Sequence, residues 1–176
     1  MIELDKYSET KNHRMRRILW LLINCTLFRI SPGFVRNGLL RLFGAHIGKS
    51  LVYRSVDIYD PANLSIGNMS CIGPHVEIYC KDKVAIGDNS VISQWAYVCT
   101  ASHDVQSPVM ELVTKPITIG NDVWVASRAI ILPGANLGNG SVVGAGAVVA
   151  KSVEEWTVVA GSPASAVKQR ILRQNS

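Results

Sequence analysis

The chain has 176 residues, enough for one domain; 48% are apolar but only 7% aromatic, a mix suited to a repetitive scaffold of small side chains rather than a core of large rings. Its net charge of +5 comes without any run of four Lys/Arg and without an aromatic-interleaved basic motif, which argues against a nucleic-acid partner. Cys25, Cys71, Cys80 and Cys99 form no C-x-x-C pair and match no zinc framework, so a reduced, cytoplasmic chain is expected.

The first apolar run, Ile18–Phe28, is 11 residues long and too short to span a bilayer. Arg16 and Arg17 precede it as in a signal peptide, but Arg29-Ile30-Ser31-Pro32 follows where a small-residue cleavage site belongs. The spacing predicts a helix that packs on the body or on a partner. Peripheral contact of residues 15–28 with the inner face of a membrane is the alternative. Residues 1–46 as a whole are expected to be a helical cap or flank.

From residue 47 a six-residue beat begins. Apolar residues fall at Ile47, Tyr53, Tyr59, Ile66, Ile72, Ile78, Ile86, Ile92 and Val98, then at Ile119, Val125, Ile131, Leu137, Val143 and Val149. Glycine often follows, and a small or β-branched residue stands four places on, as at Ser70, Val76, Ser90, Ala96 and Ala129. A period of six fits neither an amphipathic helix nor an alternating strand, but it fits a parallel β-helix of hexapeptides. Three short strands with a corner after each make a triangular coil, and coils stack about 4.8 Å apart. The glycines are expected to supply positive φ at the corners. The phrase Ile/Leu-Gly-(Asn/Asp/Lys) recurs at 47, 66, 86, 119 and 137, which gives about five coils over 47–154.

The beat stops at His103 and resumes at Ile119, so residues 104–118 are read as a loop thrown out of one coil. Beyond the coils, in residues 155–176, Ser162-Pro163 starts a turn and Ala164 to Arg173 is predicted as a short basic helix.

Residues 47–170 resemble the hexapeptide-repeat acyltransferases, left-handed parallel β-helix proteins of the all-β class. The marks are CTASHD, then PITIGNDVWVASRAIILPGANLGNGSVVGAGAVVAKSV, then WTVVAGSPA. These are similar to the sugar O-acetyltransferase branch; LLRLFGAHIGKS and NLSIGNMSCIGPHVEIY resemble enzymes that acetylate exopolysaccharide units of the colanic-acid type. The resemblance implies left-handed coils and a homotrimer with sites between neighbouring prisms. It implies acetyl-CoA as co-substrate, no permanently bound cofactor, and a sugar or glycan-precursor acceptor.

The family transfers the acyl group directly to a hydroxyl or amine, which needs a general base, and the resemblance makes that base His103. Asp104 either orients the imidazole or contacts the acceptor, or else starts the turn toward Ser107-Pro108. The oxyanion donor is implied to be a backbone N–H at Ala126 or Ser127, with Trp124 walling the cleft. Ala145 and Ala150 match the pantetheine path, and Lys151, Lys168 and Arg170 the nucleotide end; Ser165 stands where related chains often carry Arg. His75, Glu77 and Tyr79 are candidate acceptor contacts, because Gly73 and Lys81 replace the sugar ligands of the galactoside branch. Other readings are an acetyltransferase for a non-sugar small molecule, a non-catalytic β-helix scaffold, and a zinc carbonic anhydrase-like enzyme, for which the repeats offer only His46, His75 and His103. Ice binding would need regular Thr rows, which are absent.

Overall fold

The structure, a computed structural model, describes residues 10–172. Three helices come first: α1 (Lys11–Cys25), α2 (Leu27–Ile30) and α3 (Gly33–Leu42). Thr10 caps α1 by accepting from the His13 N–H, which relieves one of the unpaired amides of the first turn. Trp20 of α1 is fully buried against Phe28 and Phe43 and donates its indole N–H to the Ile58 carbonyl at 2.7 Å. His13 meets the buried carboxylate of Asp60 at 2.5 Å, and Arg29 meets Asp57 at 2.5 Å. The helices are thereby fastened to the first coil.

The rest is a three-sided prism. The first wall is made of His46–Ile47, Leu64–Ile66, Val84–Ile86, Ile117–Ile119 and Asn136–Leu137. The second wall runs Leu51–Val52, Cys71–Ile72, Val91–Ile92, Trp124–Val125, Val142–Val143 and Thr157–Ala160. The third is Asp57–Ile58, Glu77–Tyr79, Tyr97–Cys99, Ile130–Ile131 and Val148–Val149. Neighbours within each of these sets pair in parallel, so equivalent residues stack: Ile72 on Ile92, Ile92 on Val125, Val125 on Val143. Five complete coils result, and Val153 with Thr157–Ala160 begins a partial sixth.

The core is the stack of inward apolar residues and the small residues four places on, all buried. Such a narrow interior leaves no slack, and cutting Ile92 to Ala would cost about 2–5 kcal/mol. In the first coil the inward residues are Val52 and Ile58, one place before the expected Tyr53 and Tyr59. Val52 follows Ile47 by five residues rather than six, and the turn Pro61–Asn63 makes up the difference before Ile66. Tyr53 is exposed and Tyr59 half-buried, because a phenol is too large for the prism interior.

The repeat glycines also act differently from expectation. Those after the inward residues do not have positive φ; the left-handed positions are two places further on, at Met69, Asn89, Asp122, Gly140 and Trp156 on one corner and His75, Trp95, Arg128 and Gly146 on the next. What excludes a side chain at the repeat glycines is the next coil. A Cβ on Gly73 would stand 2.9 Å from the Ile92 carbonyl oxygen, and one on Gly138 2.6 Å from the Glu155 nitrogen.

The C-terminal segment is a strand, not the expected helix. Ser165–Gln169 turns back and pairs antiparallel with Thr157–Ala160, so its basic residues lie along the edge of the second wall. Pairing with an open strand satisfies backbone groups that an isolated helix of this length would leave to water. The last part of the predicted helix, from residue 173, lies outside the described residues.

Candidate active site

The insertion is a β-hairpin that leaves the prism earlier than the sequence suggests. Ala101–His103 pairs antiparallel with Leu112–Thr114, with His103 opposite Leu112. The hairpin springs from the corner between the third and first walls. At its base the Thr100 amide donates to the Tyr79 carbonyl (3.1 Å) and the Lys115 amide to the Thr100 carbonyl (2.9 Å). Buried Thr100 also accepts at its hydroxyl from the Asp82 N–H, so the root is rigid.

His103 is exposed, and its Nδ1 lies 2.7 Å from the carbonyl oxygen of Met110 across the hairpin. A carbonyl only accepts, so Nδ1 carries the proton and Nε2 presents a lone pair. That is the tautomer a general base needs. Met110 sits at φ 49°, a left-handed conformation unusual for a side-chain-bearing residue, and this aims its carbonyl at the ring. Nothing in the sequence marks Met110 for this task.

Asp104 starts the turn. Its carboxylate accepts from the Gln106 N–H at 2.9 Å, and its carbonyl accepts from the Ser107 N–H. The imidazole is therefore oriented by Met110 and not by Asp104.

The oxyanion candidates separate at the corner between the second and third walls. The Ala126 N–H is engaged by the Val143 carbonyl at 2.9 Å and cannot serve a second acceptor. The Ser127 N–H has no hydrogen-bond partner among the described residues, nor have the stacked amides of Gln94 and Ala145; Pro74 holds the equivalent place one coil earlier. Trp124, half-exposed beside this corner, has its indole N–H held by the Ser93 hydroxyl at 3.0 Å. Nothing in the sequence marks Ser93 for this contact.

The remaining candidates are spread over the surface. Ala150 and Lys151 are exposed at the corner from which the hairpin springs. Lys168 is exposed on the returning strand. Arg170 is occupied: its guanidinium donates to the carbonyls of Asp122 (2.6 Å) and Gly140 (2.9 Å), beside Trp156, on the corner between the first and second walls. His75 stacks on Trp95 with centroids 4.2 Å apart and planes 8° off parallel. Glu77 is exposed on the third wall, and Tyr79 packs edge-on against Tyr59; burial, first of all, pushes the Tyr79 hydroxyl pKa up. His75, Glu77, Tyr79 and Asp104 do not converge on one point.

His103 with Ala150 and Lys151 thus belongs to one edge of the third wall, and Ser127 with Ala145 to the other. Among the described residues no three His, Cys, Asp or Glu side chains gather so as to hold a metal ion. Cys80 is fully buried with its thiol pKa pushed up to about 12 by desolvation, so it is packing rather than a nucleophile.

Residues 116–151 match the family described as bacterial transferase hexapeptide (six repeats). WcaF of Escherichia coli (strain K12), named as a colanic acid biosynthesis acetyltransferase, is 38% identical over 97% of this chain and 98% of its own length. The hexapeptide-repeat acetyltransferase VCA0836 of Vibrio cholerae O1 biovar eltor, solved with acetyl-coenzyme A, overlays with a TM-score of 0.81 at 28% identity, over 93% of this chain and 90% of that one. A galactoside acetyltransferase solved with coenzyme A gives 0.82 at 28% identity, over 92% and 84%. Overlay at this level carries the winding with it: the coils are left-handed, against the usual right-handed crossover.

Proposed function

We propose, from the premise that the chain belongs to the hexapeptide-repeat acetyltransferases, that it moves acetyl from acetyl-CoA to a sugar hydroxyl of a bacterial glycan precursor. His103 Nε2 takes the hydroxyl proton as the oxygen attacks the thioester carbonyl. The tetrahedral oxyanion is held by the Ser127 N–H. Collapse breaks the C–S bond, and the imidazolium returns its proton to the departing thiolate, so free CoA and the acetyl ester leave. Trp124 walls the cleft, and Ala145 and Ala150 give the pantetheine arm close approach to the coils. Lys151 and Lys168 face the phosphates; Arg170, already bonded to two carbonyls, is left to its structural duty.

One observation carries this reading: the hydrogen bond from His103 Nδ1 to the Met110 carbonyl, which leaves the other nitrogen basic. The acceptor class rests on the names of the relatives, since WcaF is named for colanic acid biosynthesis and another match for galactoside. His103 and Ser127 stand at opposite edges of one wall, so a single reaction centre needs the hairpin of one copy against the second-to-third corner of another. A cyclic assembly supplies this, because it pairs one surface with a different one around the ring, and a homotrimer is the form proposed. The four cysteines, none of them in a disulfide, fit work in the cytoplasm.

The test is CoA release from acetyl-CoA with a panel of nucleotide sugars and lipid-linked oligosaccharides. Acetylation of a panel member is expected, with His103→Ala slower by about 10²–10⁴-fold. Full activity in that variant would remove the base; CoA binding with no panel member acetylated would remove the acceptor class.

A further inference from the structure

The helical flank has an outward face that the transfer reaction does not use. The inward side of α1 is spoken for: Trp20 and Asn24 are buried, and His13 and Arg17 touch Asp60 and Tyr59 of the first coil. The other side is also apolar. Met15, Ile18, Leu19 and Leu22 recur at helical spacing and are 66%, 44%, 52% and 63% exposed. Exposed Lys11 and Arg14 precede this stripe on the same face, at the i, i+3, i+4, i+7 positions shared with Met15 and Ile18. Ile30 and Phe34 continue the exposure in the next two helices. A helix apolar on both sides is ordinarily covered on both, and the prism covers one.

Charge says what fits the other side. Residues 10–56 contain nine Lys/Arg and not one Asp or Glu, whereas residues 1–9 contain three acids and one base and residues 57–176 ten acids and eight bases. The basic surplus of the molecule is therefore a property of the helical flank and first coil. A second copy of the same face would bring like charges together. α1 has 15 residues, and no described helix is long and apolar enough to cross a membrane, so insertion to the depth of the stripe is what the geometry permits.

We propose that the outward face of α1 docks the protein on an anionic lipid surface. Met15, Ile18, Leu19 and Leu22 enter the headgroup–acyl boundary while Lys11 and Arg14 pair with lipid phosphates. The face lies apart from the hairpin and the open corner, so this inference is independent of the acceptor and of the base.

The test is co-sedimentation of the full chain with vesicles of phosphatidylethanolamine and phosphatidylglycerol, against vesicles of phosphatidylcholine alone. Binding at least tenfold stronger to the anionic vesicles is expected, weakening as salt is raised because exposed charges are screened. Leu19→Gln with Leu22→Gln should lower the partition at least tenfold, and Arg14→Gln by several-fold, with thermal unfolding and CoA binding unchanged. No binding to anionic vesicles, or equal binding to both kinds, would overturn the proposal. So would a Leu19→Gln/Leu22→Gln variant that binds vesicles like the parent, or one that changes the mass in sedimentation velocity while vesicle binding stays the same, which would make this face a contact between copies. Because the readout is partitioning, failure here leaves the acetyltransferase reading standing.

Discussion

At the corner between the first and second walls, each coil closes the main chain of the coil before it. Asn68, Asp88, Asn121 and Asn139 each accept, through a side-chain oxygen, from the main-chain N–H of the equivalent residue in the preceding coil, at 2.6–3.1 Å. Beside them Ser50, Ser70 and Ser90 donate to Gly67, Gly87 and Gly120 carbonyls and accept from the Ser70, Ser90 and Val123 amides. At the corner between the second and third walls Ser55 makes one such bond, accepting from the His75 N–H at 3.1 Å, but the later coils carry no counterpart, and the amides of Gln94, Ser127 and Ala145 are left without partners among the described residues. Of these three, Ser127 is half-buried, whereas Gln94 and Ala145 are exposed and their amides can meet water. One corner is closed by its own residues; the other leaves three stacked amides without a partner among the described residues.

The sharpest way to break this contrast is Ser127→Pro. Pro74 already occupies the equivalent place on the same corner two coils earlier, so the backbone accepts proline there, and the N–H is lost together with the hydroxyl. Loss of one oxyanion donor should lower kcat by about 10²–10³-fold with thermal stability kept. Acetyl transfer at the parent rate would mean that the open corner is not the oxyanion site.

The reverse case is Asn121→Ala at the closed corner. It removes the acceptor of the Asp88 N–H, and one net hydrogen bond is worth about 0.5–1.5 kcal/mol. For a chain of this size that lowers Tm by roughly 2–4 °C per kcal/mol, and acetyl transfer at a permissive temperature should not change. A smaller effect is expected from Ser93→Ala, which frees the Trp124 indole. The KM for acetyl-CoA should rise by about 2–10-fold with kcat nearly constant, in line with one hydrogen bond. Smallest of all is Asp104→Ala. It loosens the hairpin turn but leaves the His103–Met110 bond, so kcat should stay within about twofold, where orientation of the imidazole by Asp104 would cost far more.

The prism itself was legible because a six-residue period has few other physical solutions, and the buried residues at Ile66, Ile72, Ile78 and onward follow it place for place. The first coil departed from the count because Ile47 and Val52 are five apart, and Tyr53 satisfies an apolar rule while being too bulky for the interior. The basic C-terminal stretch reads as a helix by propensity; an unpaired parallel strand beside it decided otherwise. Within the candidate site, residue types pointed to His103 and to the neighbourhood of Trp124. Which of two adjacent amides is free depends on the stacking of coils 18 residues apart in sequence, as Ala126 and Val143 show. Met110 acts through its carbonyl alone, so no side-chain pattern could reveal it. Val123 stands where the ladder would have a serine, and the hydroxyl of Ser141 in the next coil is left buried and unpaired.

The returning strand Ser165–Gln169 has a consequence for the life of the protein in a crowded cell. A prism of parallel coils presents at its last rung the template for another rung, and an identical molecule could dock there and grow a filament. By running the opposite way, the strand occupies that template with a backbone of the wrong polarity. Exposed Lys168 along the new rim adds a charge that disfavours strand addition. Arg170, bonded to two carbonyls of a neighbouring corner, latches the strand in place over that rung.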